Sequence, residues 1–187
     1  PVLFAVWLQD RHSPFYLAKR IGRGGKPFTM IKIRSMVVNA DKSNIDSTKA
    51  DDDRITTVGH LIRKVKLDEV MQLVNVLIGT MSLVGPRPNV DREVALYTDE
   101  ERHLLDVKPG ITDPASIVFS DLAEILKGCE DANISYNELV RPWKSRLSLF
   151  YSRNASFLAD IRIIFYTMLS VISRPRALNA LSDLLQE

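Results

Sequence analysis

The chain alternates between short apolar runs and polar punctuation. Val2 to Leu8 form a seven-residue apolar run, too short to cross a bilayer and without a basic segment ahead of it. It therefore predicts neither a complete spanning helix nor a signal peptide. A chain that opens on Pro1 rather than Met is expected to be a fragment. Phe15 to Ala18 predict a short strand, Gly22-Arg23-Gly24-Gly25 a turn, and Phe28 to Arg34 a second strand, together a hairpin. The polar and acidic stretch from Ala40 to Asp53 predicts a loop ordered by a ligand.

Helical patterning follows. One helix is expected around His60 to Val65 and another from Leu67, where Leu67, Val70, Met71 and Val74 repeat at three-to-four-residue spacing. Asp68 and Glu69 would then open that second helix, where acidic groups suit its positive end. The helix should stop before Gly79. Gly85-Pro86-Arg87-Pro88 predicts a restricted loop that projects Arg87, because each proline limits the backbone around it. A helix is expected over Asp91 to Asp106, a polar helix and loop over Phe119 to Arg141, and one long segment over Ser145 to Ile172. Asp160, Thr167 and Arg174 recur every seven residues in that last region and imply one narrow polar face. Its apolar remainder suits either a membrane surface or a core.

Composition narrows the field. A length of 187 residues fits one domain. The 25 Lys+Arg against 23 Asp+Glu leave +2, which disfavours a globally basic nucleic-acid binder. Cys129 is the single cysteine, so an intrachain disulfide and a cysteine-based zinc cluster are excluded. His12, His60 and His103 lack the close pairing of a helical metal motif.

Two groups of residues carry chemistry. Lys19 to Lys26 form a basic glycine turn that is not a complete nucleotide P-loop. Lys32 and Arg34, at alternate strand positions, share a direction and make better phosphate-site residues. Arg63, Lys64 and Lys66 then precede the adjacent Asp68 and Glu69. Two neighbouring carboxylates on a helix diverge by about 100°, so they are not the opposed acids of a glycosidase. One carboxylate can serve as nucleophile or metal ligand while the other organises a proton or cation. Charging of a helix N-terminus explains the pair equally well.

The segments KPFTMIKIRSM, DDDRITTVGHLIRKVKLDEVMQLVNVLIGTMSLVGPRP and KPGITDPASI occur in order. In this combination the chain resembles the bacterial sugar transferases of the monotopic phosphoglycosyl transferase family. The resemblance implies one membrane-interface-associated catalytic domain over residues 1–187, α+β and mainly helical with a small β-hairpin. It implies transfer of a sugar 1-phosphate from a nucleoside-diphosphate sugar, commonly a UDP-sugar, to polyprenyl phosphate such as undecaprenyl phosphate, in an initiating step of glycoconjugate or polysaccharide synthesis. Asp68 would be the nucleophile and would meet Mg2+, with Glu69 supporting the metal or proton arrangement. Lys32, Arg34, Arg63 and Arg87 would meet phosphate or nucleotide. The place of action would be the cytoplasmic face of the bacterial inner membrane, with membrane lipid and no nucleic acid as partner. Phe157, Leu158, Ile161, Ile164, Phe165 and Met168 are the residues expected at that surface.

Two departures from the family pattern stand out. Its N-terminal re-entrant helix would be present only as the part after its break, VLFAVWLQ. ITDPASI replaces the frequent ITGxAQV, so Asp113, Pro114 and Ser116 imply altered substrate contacts. The competing expectation is a non-catalytic membrane-peripheral module that presents a basic groove to a phosphorylated partner. It accounts for Lys19 to Arg34 but not for the LDE and GPRP sequences.

Overall fold

The computed structural model describes residues 1–40 and 51–186. Helix α1 (Val2–Asp10) leads into a hairpin of β1 (Phe15–Ile21) and β2 (Pro27–Ile33). The strands pair antiparallel with Phe15 opposite Ile33 and Tyr16 opposite Lys32, so the expected hairpin is present and longer than its apolar residues alone suggest. Val6 of α1 packs with Ile33 and with Ile62 of α2 (Thr57–Lys64), and fixes α1 and α2 against the strand that carries Lys32. Thr56 caps α2 by accepting from the Gly59 N–H. Gly59 is required there: a Cβ would overlap the Ser35 carbonyl just beyond β2.

A 3-10 turn (Leu67–Glu69) precedes α3 (Gln72–Leu77), so Asp68 and Glu69 stand ahead of α3 rather than in its first turn. The face of α3 that is buried is polar. Gln72 and Asn75 are fully enclosed, whereas Leu67 and Val70, expected to pack, are exposed. Asn75 explains the inversion: its Oδ1 accepts from the Ile31 N–H at 3.0 Å and its Nδ2 donates to the Thr29 carbonyl at 2.7 Å, tying α3 to β2 on either side of Met30.

β3 (Ser82–Val84) and β4 (Gly110–Thr112) form a short parallel pair that the apolar pattern did not predict. Their connection begins with the GPRP loop. Gly110 donates to the Pro86 carbonyl at 3.0 Å, an approach so close that a Cβ at Gly110 would overlap the Gly85 backbone. The helix expected over Asp91 to Asp106 is divided into α4 (Asp91–Val94), α5 (Asp99–Arg102) and a 3-10 turn. Thr98 causes the division, because it forms a capping box with Glu101 and starts a new helix.

Helices α6 (Pro114–Val118), α7 (Leu122–Ile125) and α8 (Ala132–Ser135) lead through a π-helical turn (Tyr136–Val140) into α9 (Arg141–Arg153), α10 (Phe157–Ile172) and α11 (Arg174–Gln186). The long segment expected over Ser145 to Ile172 is thus two helices, separated where Ser156 caps α10. The main core joins Val84, Ile117, Tyr151 and Ile163 to Ala177 and Leu181 of α11.

The polar stripe of α10 faces inward. Asp160 accepts from the Tyr151 hydroxyl at 2.5 Å and Thr167 Oγ1 lies 2.7 Å from Thr112 Oγ1, whereas Arg174 opens α11 and donates to the Val118 carbonyl at 2.9 Å. Phe157, Leu158, Ile161, Phe165 and Met168 accordingly point outward and are exposed, while Ile164 packs against the main core. Among the described residues, no helix is long and apolar enough to cross a membrane. The loop expected over 40–53 lies mostly outside the described residues. At its end Asp52 pairs with Arg54 at 2.6 Å.

Candidate active site

One cavity of about 970 Å³ lies between the hairpin, the Leu67–Glu69 turn, the GPRP loop and the α6–α9 region. Among the described residues, ten Lys and Arg side chains line it against four carboxylates. That imbalance concentrates positive potential and suits a polyanionic ligand.

Arg87 and Glu69 form its centre. Arg87 donates through Nη1 to Glu69 Oε2 at 2.9 Å and through Nη2 to Oε1 at 2.5 Å, a two-pronged pairing of guanidinium with carboxylate. Arg87 Nη1 also donates to the Ile111 carbonyl at 3.0 Å, so β4 helps to fix the fork. Lys32 approaches Glu69 Oε1 at 3.5 Å from β2. The short strands that the apolar pattern missed therefore position one of the residues it identified.

Asp68, one residue earlier, also lines the cavity, yet among the described residues no hydrogen bond or ion pair is made to its carboxylate. The two neighbours differ in acidity as a result. Burial pushes the Asp68 carboxyl above its usual value, partly opposed by the charge of Lys32. Burial acts on Glu69 in the same direction, but Arg87 and Lys32 outweigh it and hold Glu69 well below the carboxylate range. Burial likewise depresses Lys32 and Lys66, with Glu69 opposing the shift at both.

The remaining sequence-predicted residues divide. Arg63 lines the cavity from α2 and contributes to the field that favours ionised Asp68. Arg34 also lines the cavity, but its guanidinium is already engaged. Its Nη1 and Nη2 donate to Asp10 at 2.6 and 2.7 Å and its Nε donates to the Ser13 carbonyl at 2.8 Å, so it anchors the end of α1 to the hairpin. Lys32 and Arg34 both line the cavity, as their alternate positions predict, although β2 ends at Ile33. Asp113 and Pro114 are enclosed and make no direct substrate surface, whereas Ser116 lines the cavity. Asp113 instead accepts from the Ser116 N–H at 2.8 Å and from the Ser148 hydroxyl at 2.5 Å, joining α6 to α9.

Lys144 of α9 is a lining residue that sequence reasoning missed. Its signal is weak: a single lysine just ahead of the long segment read from Ser145. No group of three or more His, Cys, Asp or Glu residues among those described is placed to hold a metal ion. Mg2+ commonly takes one or two protein carboxylates and completes its shell with water and substrate phosphate. Asp68 fits that donor set, while both Glu69 oxygens are engaged by Arg87 and Lys32.

The excess of cationic side chains in the cavity suits a phosphate-bearing ligand. Residues 1–174 match the bacterial sugar transferase family, and the chain belongs to it. It is 32% identical over 191 residues to a UDP-galactose-lipid carrier transferase of Erwinia amylovora, covering 94% of this chain and 37% of that protein. It is 33% identical over 175 residues to a UDP-N-acetylgalactosamine-undecaprenyl-phosphate N-acetylgalactosaminephosphotransferase of Aeromonas hydrophila, covering 90% and 37%. It is 35% identical over 185 residues to the exopolysaccharide production protein ExoY of Sinorhizobium fredii, covering 91% and 75%. The chain thus spans little more than a third of the first two relatives.

Proposed function

We propose that the protein transfers a sugar 1-phosphate from a nucleoside-diphosphate sugar, a UDP-sugar, to polyprenyl phosphate, undecaprenyl phosphate being the acceptor class. The observation that carries this reading is the unpartnered Asp68 carboxylate in a cationic cavity, next to a Glu69 already paired with Arg87. A nucleophile must be free to turn toward phosphorus with its charge available, and a carboxylate held on both oxygens by a guanidinium is less free and less nucleophilic. The names of the Erwinia and Aeromonas relatives support the substrate classes.

In the proposed first step an Asp68 oxygen bonds to the sugar-linked phosphorus, and the bond to the bridging oxygen breaks. Nucleoside monophosphate leaves with that electron pair, and the phosphosugar remains on Asp68. In the second step the lipid phosphate oxygen attacks the same phosphorus. The Asp68–phosphorus bond breaks, the carboxylate returns and polyprenyl-diphosphate sugar is formed. Lys32, Arg63 and Arg87 oppose the negative charge that gathers around phosphorus, while Glu69 holds Arg87 and Lys32 in place. Bound Mg2+, with Asp68 as its protein ligand, would add neutralisation of the diphosphate oxygens.

A lipid acceptor requires an apolar approach to the cavity. The outward face of α10 supports contact with a lipid surface, because its polar residues bond inside the protein and its apolar residues are exposed. Phe4 and Leu8 of α1 and Leu77 and Ile78 after the Asp68 turn add exposed apolar side chains. We assign this surface to the cytoplasmic side of the bacterial inner membrane.

The test is a panel of UDP-sugars incubated with polyprenyl phosphate and Mg2+ in a membrane mimetic, following UMP release and lipid-linked sugar. Stoichiometric formation of both products with one donor is expected. Absence of both across the panel would overturn the reading.

A further inference from the structure

The cavity has a second cationic element, on α9, that lies in a different part of the fold from the Asp68 turn. Lys144 is half-buried and lines the cavity with its ammonium 5.3 Å from the centre of the Tyr136 ring. Among the described residues no carboxylate lies within ion-pair distance of it, in contrast to Arg34, Lys32 and Arg87. An aromatic face attracts an ammonium without neutralising it, so the positive charge stays available to a ligand.

The helix that carries Lys144 is held on both sides of it. One turn earlier, Arg141 donates to Glu101 at 2.7 Å and to the Leu96 carbonyl at 2.6 Å. The next residue, Ser145, donates to Glu101 at 2.6 Å, and one turn later Ser148 donates to Asp113 at 2.5 Å. Glu101 and Asp113 are themselves buried. These anchors fix the register of α9 and leave Lys144 as the member of the series directed at the cavity. A half-buried cation held in this way without a carboxylate is costly unless an anion completes it.

We propose that Lys144, seated on Tyr136, receives the diphosphate of the nucleotide donor on the α9 wall of the cavity. This rests on the function proposed above and deepens it by giving the donor a second point of attachment away from the nucleophile. The charged groups that act on Lys144 are Arg87, Asp113, Glu69 and Glu93. Burial is the largest influence and, with Arg87, lowers the Lys144 value to about 8. Donor affinity should therefore decline as Lys144 loses its proton above that pH.

Binding of UDP to the full chain in detergent, read by titration calorimetry, tests this. Lys144→Gln should weaken UDP binding about 10-fold at neutral pH, as loss of one charged hydrogen bond implies, and should reduce the alkaline decline to the part that Lys32 and Lys66 carry. Lys144→Arg should keep the affinity and likewise remove the Lys144 share of the decline, because a guanidinium stays charged. Parent-like UDP affinity in Lys144→Gln would overturn the proposal, as would a raised KM for the lipid phosphate with an unchanged KM for the donor. Melting of both variants controls for folding. If Lys144→Gln does not fold, the reduced alkaline decline in Lys144→Arg decides the question. Inorganic pyrophosphate as a second probe separates the two proposals: weaker binding to Lys144→Gln than to the parent supports the Lys144 site even where UDP-sugars yield no UMP.

Discussion

Arg87 spends its guanidinium on Glu69, at 2.5 and 2.9 Å, and leaves the adjacent Asp68 untouched. The geometry separates two carboxylates that are neighbours in sequence into a holder and a reactive group. It also explains why the GPRP loop is built as it is. Pro86 and Pro88 restrict the backbone, and Ile111 of β4 accepts from Arg87, so the fork meets Glu69 from a fixed direction.

Arg87→Ala should lower donor kcat/KM by at least about 100-fold, the scale seen when one fixed donor to a developing anion is removed. Glu69 then loses its strongest partner, and folding stability should fall by about 1–3 kcal/mol, less than for a fully enclosed pair because both side chains keep some solvent contact. Arg87→Lys should recover stability better than turnover, since an ammonium cannot reproduce the two-pronged contact. Parallel melting and donor kinetics check the order of effects.

The neighbours should also respond oppositely in stability. The Glu69 carboxyl is held low, so its contribution is present above its ordinary value near 4.5 and is lost as pH falls toward the lower folded value. The Asp68 carboxyl is raised above its ordinary 3.8, so the folded protein holds that proton more tightly than the unfolded chain. Ionised Asp68 therefore costs stability once pH rises through that window. At neutral pH, Asp68→Asn should raise the melting temperature by about 2–4 °C for a gain near 1 kcal/mol, and Glu69→Gln should lower it. Thermal denaturation of the two variants beside the parent is the measurement.

On α10, adjacent positions should separate membrane contact from folding. Phe165→Glu places a charge on the exposed face and should reduce sedimentation with anionic lipid vesicles several-fold at an unchanged melting temperature. Thr167→Val removes the partner of the Thr112 hydroxyl and should cost about 1–2 kcal/mol while leaving vesicle binding intact.

The hairpin was legible because alternation and a glycine turn are local signals. Asp68, Glu69 and Arg87 were legible because their sequence context is compact. The direction in which a helix turns was not. Apolar spacing from Leu67 pointed Leu67, Val70 and Met71 inward, and Met71 does pack with Val6, Ile33 and Ile62, yet α3 itself is tied to β2 by the polar bonds of Asn75. A similar limit holds for α10, where the spacing of Asp160 and Thr167 was visible while its inward direction depended on Tyr151 and Thr112. Arg34 and Lys144 show the corresponding limit for the site. Strand alternation could not reveal that Asp10 occupies Arg34, nor could one lysine reveal that α9 turns it into the cavity.

Intact-protein mass spectrometry after addition of donor, before any lipid acceptor, reads the central step directly. The parent and Glu69→Gln should acquire the mass of one phosphosugar, with peptide mapping placing it on Asp68 and the Glu69 variant acquiring it more slowly. Asp68→Asn should remain unlabelled, and added polyprenyl phosphate should discharge the parent adduct as lipid-linked sugar. A kinetically competent adduct on any other residue, or labelling and turnover retained in Asp68→Asn, would contradict the assignment of Asp68 as nucleophile.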